Sequence, residues 1–334
     1  MVASTQAEYK IMRCCAIVLT AGAMLLSGTC AAQSAWKPER TVEIVVGSAA
    51  GGGNDKAART LQRIWQETKL LDNVVVVNRV GGGGAVAYAY TTQTPGDGHR
   101  IVVARTGLLS NQLMGLSPLS YTETTPLAVI ADEMQALTVR ADSPVRTTKD
   151  LISRWTTDPQ SISVSLGSSR GSTAHYVVAQ LAKLGNVDPK KLKLLTFGGN
   201  AESITNLLGG HIDMVSGAIG QALEHHRAGK MRVIGVATLK RSPQLPDVTT
   251  FREQGFDVVV PAWTAIVGAK DLTPAQVAYW ENMLERAANH PRWKGSLEED
   301  SADWVFMKSQ PTREFLRKDH EKIRGLLADI GMAK

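Results

Sequence analysis

The chain has 334 residues, of which 43% are hydrophobic and 20% are charged. A chain of this length has room for two domains with substantial cores, and this composition excludes a disordered or fibrous protein. The net charge is +6, but the basic residues are scattered and form no run of five or more. We therefore expect no nucleic-acid partner, and the slight positive excess favours a small acidic ligand.

The first 32 residues predict a secretory signal peptide. Lys10 and Arg13 precede an apolar run over 16–26, and small residues then lead to Ala32. The run is shorter than the roughly 20 residues that span a bilayer, so we expect cleavage near Ala32 and an exported mature chain. An uncleaved anchor, a start at Met12 and lipidation at Cys30 stay open as less favoured alternatives. All three cysteines lie within this segment. Because the mature chain then has no cysteine, we expect no disulfide, no cysteine-bound metal cluster and no thiol nucleophile. His211 and Asp213 alone are too few ligands for a metal, and we expect no cofactor.

Strands, glycine-rich loops and helices alternate along most of the mature chain. Apolar, β-branched runs predict strands over 41–46, 74–77, 101–104, 161–166, 192–196, 212–215 and 233–237. Apolar spacing and capping signals predict helices from Asn54 onward and over 85–92, 172–184, 201–208, 218–227, 274–289 and 312–330. Repeated strand–loop–helix units form parallel sheets. We therefore predict an α/β fold of two domains, with a ligand cleft where the glycine-rich loops meet.

Two glycine-rich loops follow neighbouring strands of the first domain. Gly51, Gly52 and Gly53 precede a helix that we expect Asn54 to cap, with Asp55 in its first turn, and Gly81–Gly84 occupies the same position after the next strand. Such loops can direct several backbone N–H groups at an anion, aided by the helix dipole, although either could be a tight turn. Neither loop has the Lys-Ser or Lys-Thr of a phosphate-binding loop, so we expect no nucleotide.

A third loop allows two interpretations. Gly167 to Gly171 reads Gly-x-Ser-x-Gly between a strand and a helix, which is the pattern of a hydrolase with Ser169 as nucleophile. However, five small or polar residues make a loose turn, and no oxyanion-hole segment precedes it. We favour an anion site, in which Ser168 and Ser172 offer hydroxyls and Arg170 offers charge.

Two further side chains are ambiguous from their spacing. His175 lies one turn into the helix that follows this loop, where a packed histidine and a ligand contact are both open. Trp263 follows Pro261-Ala262 and is either a core ring or a wall of the cleft. We keep both residues as candidate ligand contacts.

Several short motifs, in their order and spacing, resemble one family. They are Pro38-Glu39-Arg40-Thr41 with the strand to Val46, Ala50 to Arg59, Val76 to Gly84, Pro95 to His99, Leu207 to Asp213, and Leu245-Pro246-Asp247-Val248. The chain resembles the substrate-binding proteins of tripartite tricarboxylate transporters, the Bug family, over essentially all of its mature length. One departure lies at Gly47-Ser48, where the family often has Pro-Phe or Asn-Pro.

The resemblance implies a periplasmic-binding-protein fold of the type II kind. Its two domains, 36–138 with 262–334 and 139–261, would each hold a mainly parallel sheet flanked by helices and would be joined by crossover strands. The cleft would close on a small organic carboxylate, and the chain would act as a monomer that delivers it to the membrane subunits of the transporter. The residues carried over are Ser48, Ala50, Gly51, Gly52 and Asp55 in the first domain, and Ser168, Ser172, His175, Phe197, Gly198 and Gly199 in the second.

We therefore expect a periplasmic receptor and not an enzyme. Two alternatives stay open on the sequence alone. One is a ligand-binding sensor that docks on a signalling partner. The other is a serine hydrolase that uses Ser169.

Overall fold

The structure is a computed structural model that describes residues 36–167, 169–242 and 244–334; the predicted signal peptide lies outside them. Lys37–Lys334 form one unit that contains two sheets, each flanked by helices. The strands are β1 Val42–Val46, β2 Val74–Asn78, β3 Arg100–Ala104, β4 Thr124–Glu133, β5 Gln135–Arg140, β6 Ser163–Ser165, β7 Lys193–Leu195, β8 Met214–Ala218, β9 Met231–Val236, β10 Ala262–Ala269, β11 Ala302–Asp303 and β12 Met307–Lys308. The helices are α1 Gly53–Glu67, α2 Ala85–Thr92, α3 Gly107–Leu113, α4 Thr148–Thr157, α5 Thr173–Leu184, α6 Asn200–Leu208, α7 Gly220–Arg227, α8 Pro274–Ala288, α9 Pro291–Glu299 and α10 Ser309–Asp329.

The first sheet has the order β11-β4-β10-β3-β1-β2, with β12 also paired to β4. Its βαβαβ part is parallel: Ile44 of β1 lies opposite Val76 of β2 on one side and Ile101 of β3 on the other. Strands β10 and β4 run antiparallel to their neighbours. Helices cover both faces of the sheet, so Val42 and Ile44 to Val46 are all buried and β1 reads as an almost continuous apolar run.

The second sheet has the order β7-β6-β8-β5-β9. Strand β6 is parallel to β7 and β8, whereas β5 is antiparallel to β8 and β9. The chain passes from the first sheet to the second between Glu133 and Gln135, and it returns between β9 and β10. We call the part around the first sheet, 37–133 with 262–334, the first lobe, and 135–260 the second lobe.

The predicted fold class is confirmed, with sheets that are mixed because the crossover strands enter them antiparallel. The exact predicted domain boundaries stay a prediction. The expected cap at Asn54 is wrong, since α1 has Gly52 as its N-cap and Asn54 lies inside the helix.

Over the described ranges, we find no helix with the length and apolar character to cross a membrane.

Glycines allow three loops of the first lobe to pack backbone against backbone. A Cβ at Gly47, after β1, would lie 2.7 Å from the Cα of Gly84, after β2. A Cβ at Gly107, after β3, would lie 2.3 Å from the carbonyl oxygen of Gly83. Real Cβ atoms do not approach other atoms so closely, so only glycine permits these contacts. The three loops therefore converge at the carboxyl edge of β1, β2 and β3.

Candidate functional site

A cleft of about 700 Å³ lies between the two sheets. Its walls come from the loops at the carboxyl ends of six strands, three in each sheet: 47–54 after β1, 83–84 after β2, 105–107 after β3, 166–167 and 169–174 after β6, 198–202 after β7, and 216–218 with 220–221 from the end of β8. The crossover strands supply Glu133, Gln135, Ala262 and Trp263. Carboxyl ends of strands are where open α/β sheets bind ligands, and here two sheets direct them at the same space.

Six helices begin at this cleft, and five of them have no side-chain cap. The five with uncapped starts are α1, α2, α3, α6 and α7, whose N-caps are Gly52, Gly84, Thr106, Gly199 and Ile219. Of the four helices that begin away from the cleft, α4, α8 and α9 are capped by the side chains of Thr147, Thr273 and His290. The fourth, α10, has no side-chain cap at Lys308, but its Ser309 N–H donates to Glu281. The first N–H groups of a helix have no partner within it and lie at the positive end of its dipole. The cleft is therefore lined with backbone donors suited to an anion.

Asp55 supports the first glycine-rich loop from below and lies outside the cleft lining. The Gly51 N–H donates to Asp55 Oδ2 over 2.9 Å, and Asn78 Nδ2 donates both to Asp55 Oδ1 and to the Ser48 carbonyl. Burial opposes the charged carboxylate, but the bonds from Arg59, Gly51 and Asn78 outweigh it and lower the pKa of Asp55. Asp55 thus holds the loop in place, and a direct ligand role for it stays a prediction.

The rest of that loop faces the cleft. Ser48, Ala50, Gly51 and Gly52 all line it, as predicted for ligand contacts. Gly51 has a φ of 82°, which favours glycine. The Ser48 hydroxyl is buried and has no hydrogen-bond partner among the described residues. A buried hydroxyl without a partner is costly, so Ser48 is suited to bond a ligand.

His175 has the corresponding supporting role in the second lobe. It is 3% exposed, and its Nδ1 accepts the N–H of Gly171 over 3.1 Å. Burial and the nearby Arg170 lower the pKa of His175 to about 4, which keeps the ring neutral. Ser172 lines the cleft and caps α5 by accepting the His175 N–H. Because one ring nitrogen of His175 is engaged by the loop backbone, this histidine is poorly placed to act as a base for Ser169.

The remaining predicted residues divide between wall and support. Gly198 and Gly199 line the cleft, whereas Phe197 packs behind it against a second-lobe cluster that includes Ile204. Trp263 lines the cleft but is only 1% exposed. It is therefore both a buried core ring and part of the cleft wall, the two roles that the sequence left open. Its Nε1 donates to Asp319 over 2.8 Å, which fixes the ring. Ser168 lies outside the described residues.

Carboxylates already neutralise two of the three cations in the cleft wall. Lys56 Nζ lies 2.9 Å from Asp300 and 3.1 Å from Glu299, and Arg105 pairs with Glu133. Arg170 instead donates to the carbonyl of Leu194 and has no carboxylate partner in the described part of the chain. An anion in this cleft would therefore depend largely on backbone N–H groups, hydroxyls and Arg170.

Sequence reasoning missed Arg105, although a signal for it was present. Arg105 directly follows the predicted strand 101–104. Side chains at the carboxyl end of a parallel strand face the ligand cleft, so this position qualified as a candidate. It was overlooked because no glycine-rich pattern marks it. Sequence reasoning also missed Glu133 and Gln135, which line the cleft where the two sheets join, because no predicted strand covers them.

A protein-family comparison gives a match over most of the chain. Residues 57–332 match the family described as the tripartite tricarboxylate transporter family receptor. A protein encoded in the gbd 5′ region of Cupriavidus necator is 26% identical over 98% of this chain and 99% of its own length. A protein from the tcbD–tcbE intergenic region of Pseudomonas sp. strain P51 is 30% identical over 76% of this chain and 75% of its own.

Solved structures show the same fold. The periplasmic binding protein BugD is 23% identical with a TM-score of 0.79, over 89% of this chain and 100% of its own. Rpa4515 of Rhodopseudomonas palustris, solved with adipate, is 24% identical with a TM-score of 0.78, over 89% and 99%. MatC of the same organism, solved with bound malate, is 23% identical with a TM-score of 0.73, over 89% and 100%.

Proposed function

Because the chain belongs to the tripartite tricarboxylate transporter receptor family, we propose that it captures a small organic acid in the cleft and passes it to the membrane subunits of such a transporter. Members of this family are periplasmic substrate-binding proteins and not enzymes, so the predicted family and the predicted non-enzymatic role are confirmed. The alternative of a hydrolase centred on Ser169 is thereby set aside.

The observation that carries the proposal is the convergence of uncapped helix N-termini from both lobes. Hydrogen bonds to a charged group contribute about 1.5–3 kcal/mol each. Micromolar affinity corresponds to about 8.2 kcal/mol. A few such bonds therefore suffice for a carboxylate, even after the cost of ordering the ligand and the loops.

The arrangement favours an acid with two charged ends. The first lobe offers Ser48 and the start of α1, and the second offers Arg170 and the start of α6. At α3 the N–H groups of Leu108 and Leu109 already donate to carbonyls of the preceding loop. A diacid can therefore place one carboxylate against the donors of each lobe at once. A monoacid can place its single carboxylate against the donors of only one lobe. Malate and adipate, the acids in two proteins of the same fold, are the first candidates.

We further propose that the chain acts as a monomer, exported by its first 32 residues. The support for export is the charged, apolar and small-residue order of that segment. Mass spectrometry of periplasmic material is expected to show a mature chain that begins near Gln33 and has no cysteine. A full-length chain retained in the cytoplasm would overturn this part of the proposal.

The ligand proposal is tested by a thermal-shift screen of purified mature protein against C4–C6 diacids and their neutral diamides. A ligand that binds only the native state at a hundred times its Kd raises the free energy of unfolding by about 2.7 kcal/mol. We expect at least one diacid to raise the unfolding temperature and its diamide to leave it unchanged. Equal shifts with acids and amides, or none with any acid, would count against the proposal.

A further inference from the structure

The side chain of Arg105 joins three separate segments of the first lobe. Its Nε donates to Asn54 Oδ1 over 2.7 Å, one Nη donates to Glu133 Oε1, and the other Nη donates to the Ala262 carbonyl at 3.4 Å. The side chain is 21% exposed at the cleft wall. All three guanidinium nitrogens thus have partners within the protein.

The three partners occupy positions that connect the cleft to the junction of the lobes. Asn54 is the second residue of α1, whose start faces the ligand space. Glu133 is the last residue of β4, and only Met134 separates it from β5 in the second sheet. Ala262 is the first residue of β10, where the chain returns to the first sheet. Arg105 therefore links the start of α1 to both crossover strands.

A second contact reinforces the same junction. The Ala262 N–H donates to Asp132 Oδ1 over 2.6 Å, and β4 and β10 pair directly, with Ala262 opposite Glu133. Arg105 and Asp132 thus bind the carbonyl and the N–H of one residue. These hydrogen bonds connect the crossover strands to the start of α1. A rotation of the second lobe about the crossover strands would therefore strain or move the same connections.

We propose that Arg105 is a positioning residue that fixes the start of α1 relative to the hinge strands, and that it is not the counter-ion of the ligand. The proposal rests on the proposed function, because α1 must be placed accurately only if its N–H groups bind an acid. The guanidinium is already neutralised by Glu133, so a ligand carboxylate would have to displace that carboxylate first. The planar, three-point geometry is also one that lysine cannot reproduce.

The first test needs no ligand, so it fails or succeeds independently of the proposed function. Hydrogen-exchange mass spectrometry on the ligand-free protein would compare wild type with Arg105→Gln and Arg105→Lys. We expect faster exchange in both variants in the peptides that cover 52–58, 131–136 and 260–264, and no change in α4. A change confined to one of the three segments would overturn the link.

The second test is a double-mutant cycle read by calorimetry with adipate and malate as probes. If Arg105 positions α1, Arg105→Gln and Glu133→Gln each weaken binding by about tenfold, and the double variant is no weaker than either one, because both remove one shared link. If Arg105 is instead the counter-ion, Glu133→Gln frees it and tightens binding, and Arg105→Lys retains affinity. Either of these last two results would overturn the proposal.

A matched control guards against a general effect of removing an arginine. Arg317 pairs with Glu314 on the exposed face of α10, with both side chains at least half exposed. Arg317→Gln is expected to leave exchange at the three segments and the affinity unchanged. If neither wild type nor any variant binds adipate or malate but hydrogen exchange changes as predicted, the role of Arg105 in connecting the three segments is supported. The proposed ligand class is then contradicted.

Discussion

His175 shows how a single buried side chain can hold a ligand loop in place. Its ring is buried in the second lobe and accepts the Gly171 N–H at the loop before α5. Burial, with a further contribution from Arg170, lowers its pKa from 6.5 to about 4. The neutral ring is therefore the form that the native structure requires.

This predicts a loss of stability on acidification. Between pH 6.5 and about 4 the unfolded chain protonates the histidine and the native state does not, so the free energy of unfolding falls as pH falls through this window. One group can account for up to about 3 kcal/mol here, at about 1.36 kcal/mol per pKa unit. Urea unfolding of His175→Asn should therefore lose less free energy of unfolding than wild type between pH 6.5 and about 4, by up to that amount over the whole window.

An opposing group makes the comparison with the variant necessary. Burial, with Asp303 and Glu133 nearby, raises the pKa of Asp132 to about 6. Its contribution to the free energy of unfolding therefore falls as pH rises from about 4 to 6, which partly masks the histidine in wild type. Only the difference between wild type and His175→Asn isolates His175. An unchanged slope in the variant would contradict a buried neutral ring.

At the residue scale, the sequence predicts which loops line the cleft, but it does not predict which polar side chains near those loops face the cleft. Gly51, Gly52, Ser172 and Gly199 line the cleft because a glycine-rich turn after a strand exposes its backbone there. Asp55 and His175 were grouped with them, yet both lie beneath their loops. A polar residue in the first turn of such a helix can bond either a ligand or the loop. Only the tertiary position of the loop decides between these roles.

At the element scale, the proposed recognition of a ligand depends on the helix starts that lack a side-chain cap. The N-cap of α6 is Gly199, whose extended backbone suits any residue and whose Cβ position has no atom within 4 Å. An acidic side chain can therefore be placed there without strain. Aspartate is a favoured N-cap that would bond the N–H groups otherwise available to a ligand.

Gly199→Asp is expected to weaken acid binding by at least tenfold, through competition for these donors and through charge repulsion. The free energy of unfolding should stay equal or rise by a few tenths of a kcal/mol. Gly199→Ala, which adds bulk without an oxygen, should have a smaller effect on affinity. Calorimetry and urea unfolding of both variants check this, and equal affinity in Gly199→Asp and wild type would remove α6 from the binding site.

The elements that the sequence predicted are those with strong local signals. The capping box at Thr273 and Gln276 marked α8, and β-branched runs next to glycines marked β1, β2 and β3. Strand β4 was not predicted, because its first eight residues are all buried and it contains Pro126, so it shows neither alternation nor a clean strand composition. Helix α3 has only seven residues and begins at Gly107, which leaves little periodicity to detect.

At the scale of the whole molecule, the lobes meet both at the rim of the cleft and away from it. At the rim, Gly220 of the second lobe lies against the backbone of Asp300, and Ser301 of the first lobe donates to Gln244 of the second over 2.7 Å. Away from the cleft lining, Lys183 of α5 pairs with Asp329 of α10 at 2.5 Å, and buried side chains of both helices share one apolar cluster. The Gly220 contact therefore requires the two lobes to lie close together at this rim.

The Gly220 contact gives a direct way to oppose closure. A Cβ at this position would lie 2.7 to 3.0 Å from the carbonyl oxygen, Cα and carbonyl carbon of Asp300, all of them backbone atoms. Gly220→Ala should therefore separate the lobes, which would increase the radius of gyration in small-angle scattering and weaken acid binding. Gly295→Ala, where the Cβ meets nothing within 4 Å, is the matched control. Identical scattering of the two variants with ligand present would contradict the assignment of this rim.

We propose that helix N-termini on both lobes recognise the charge of a small organic acid. The most direct measurement is calorimetric titration of the mature protein with a diacid and with its neutral diamide. The two have similar size and shape but differ in charge, and charge-assisted hydrogen bonds are roughly twice as strong as neutral ones. We predict micromolar binding of the acid and binding of the diamide that is at least about a hundredfold weaker, which corresponds to about 2.7 kcal/mol. Equal affinity for the two compounds would contradict it.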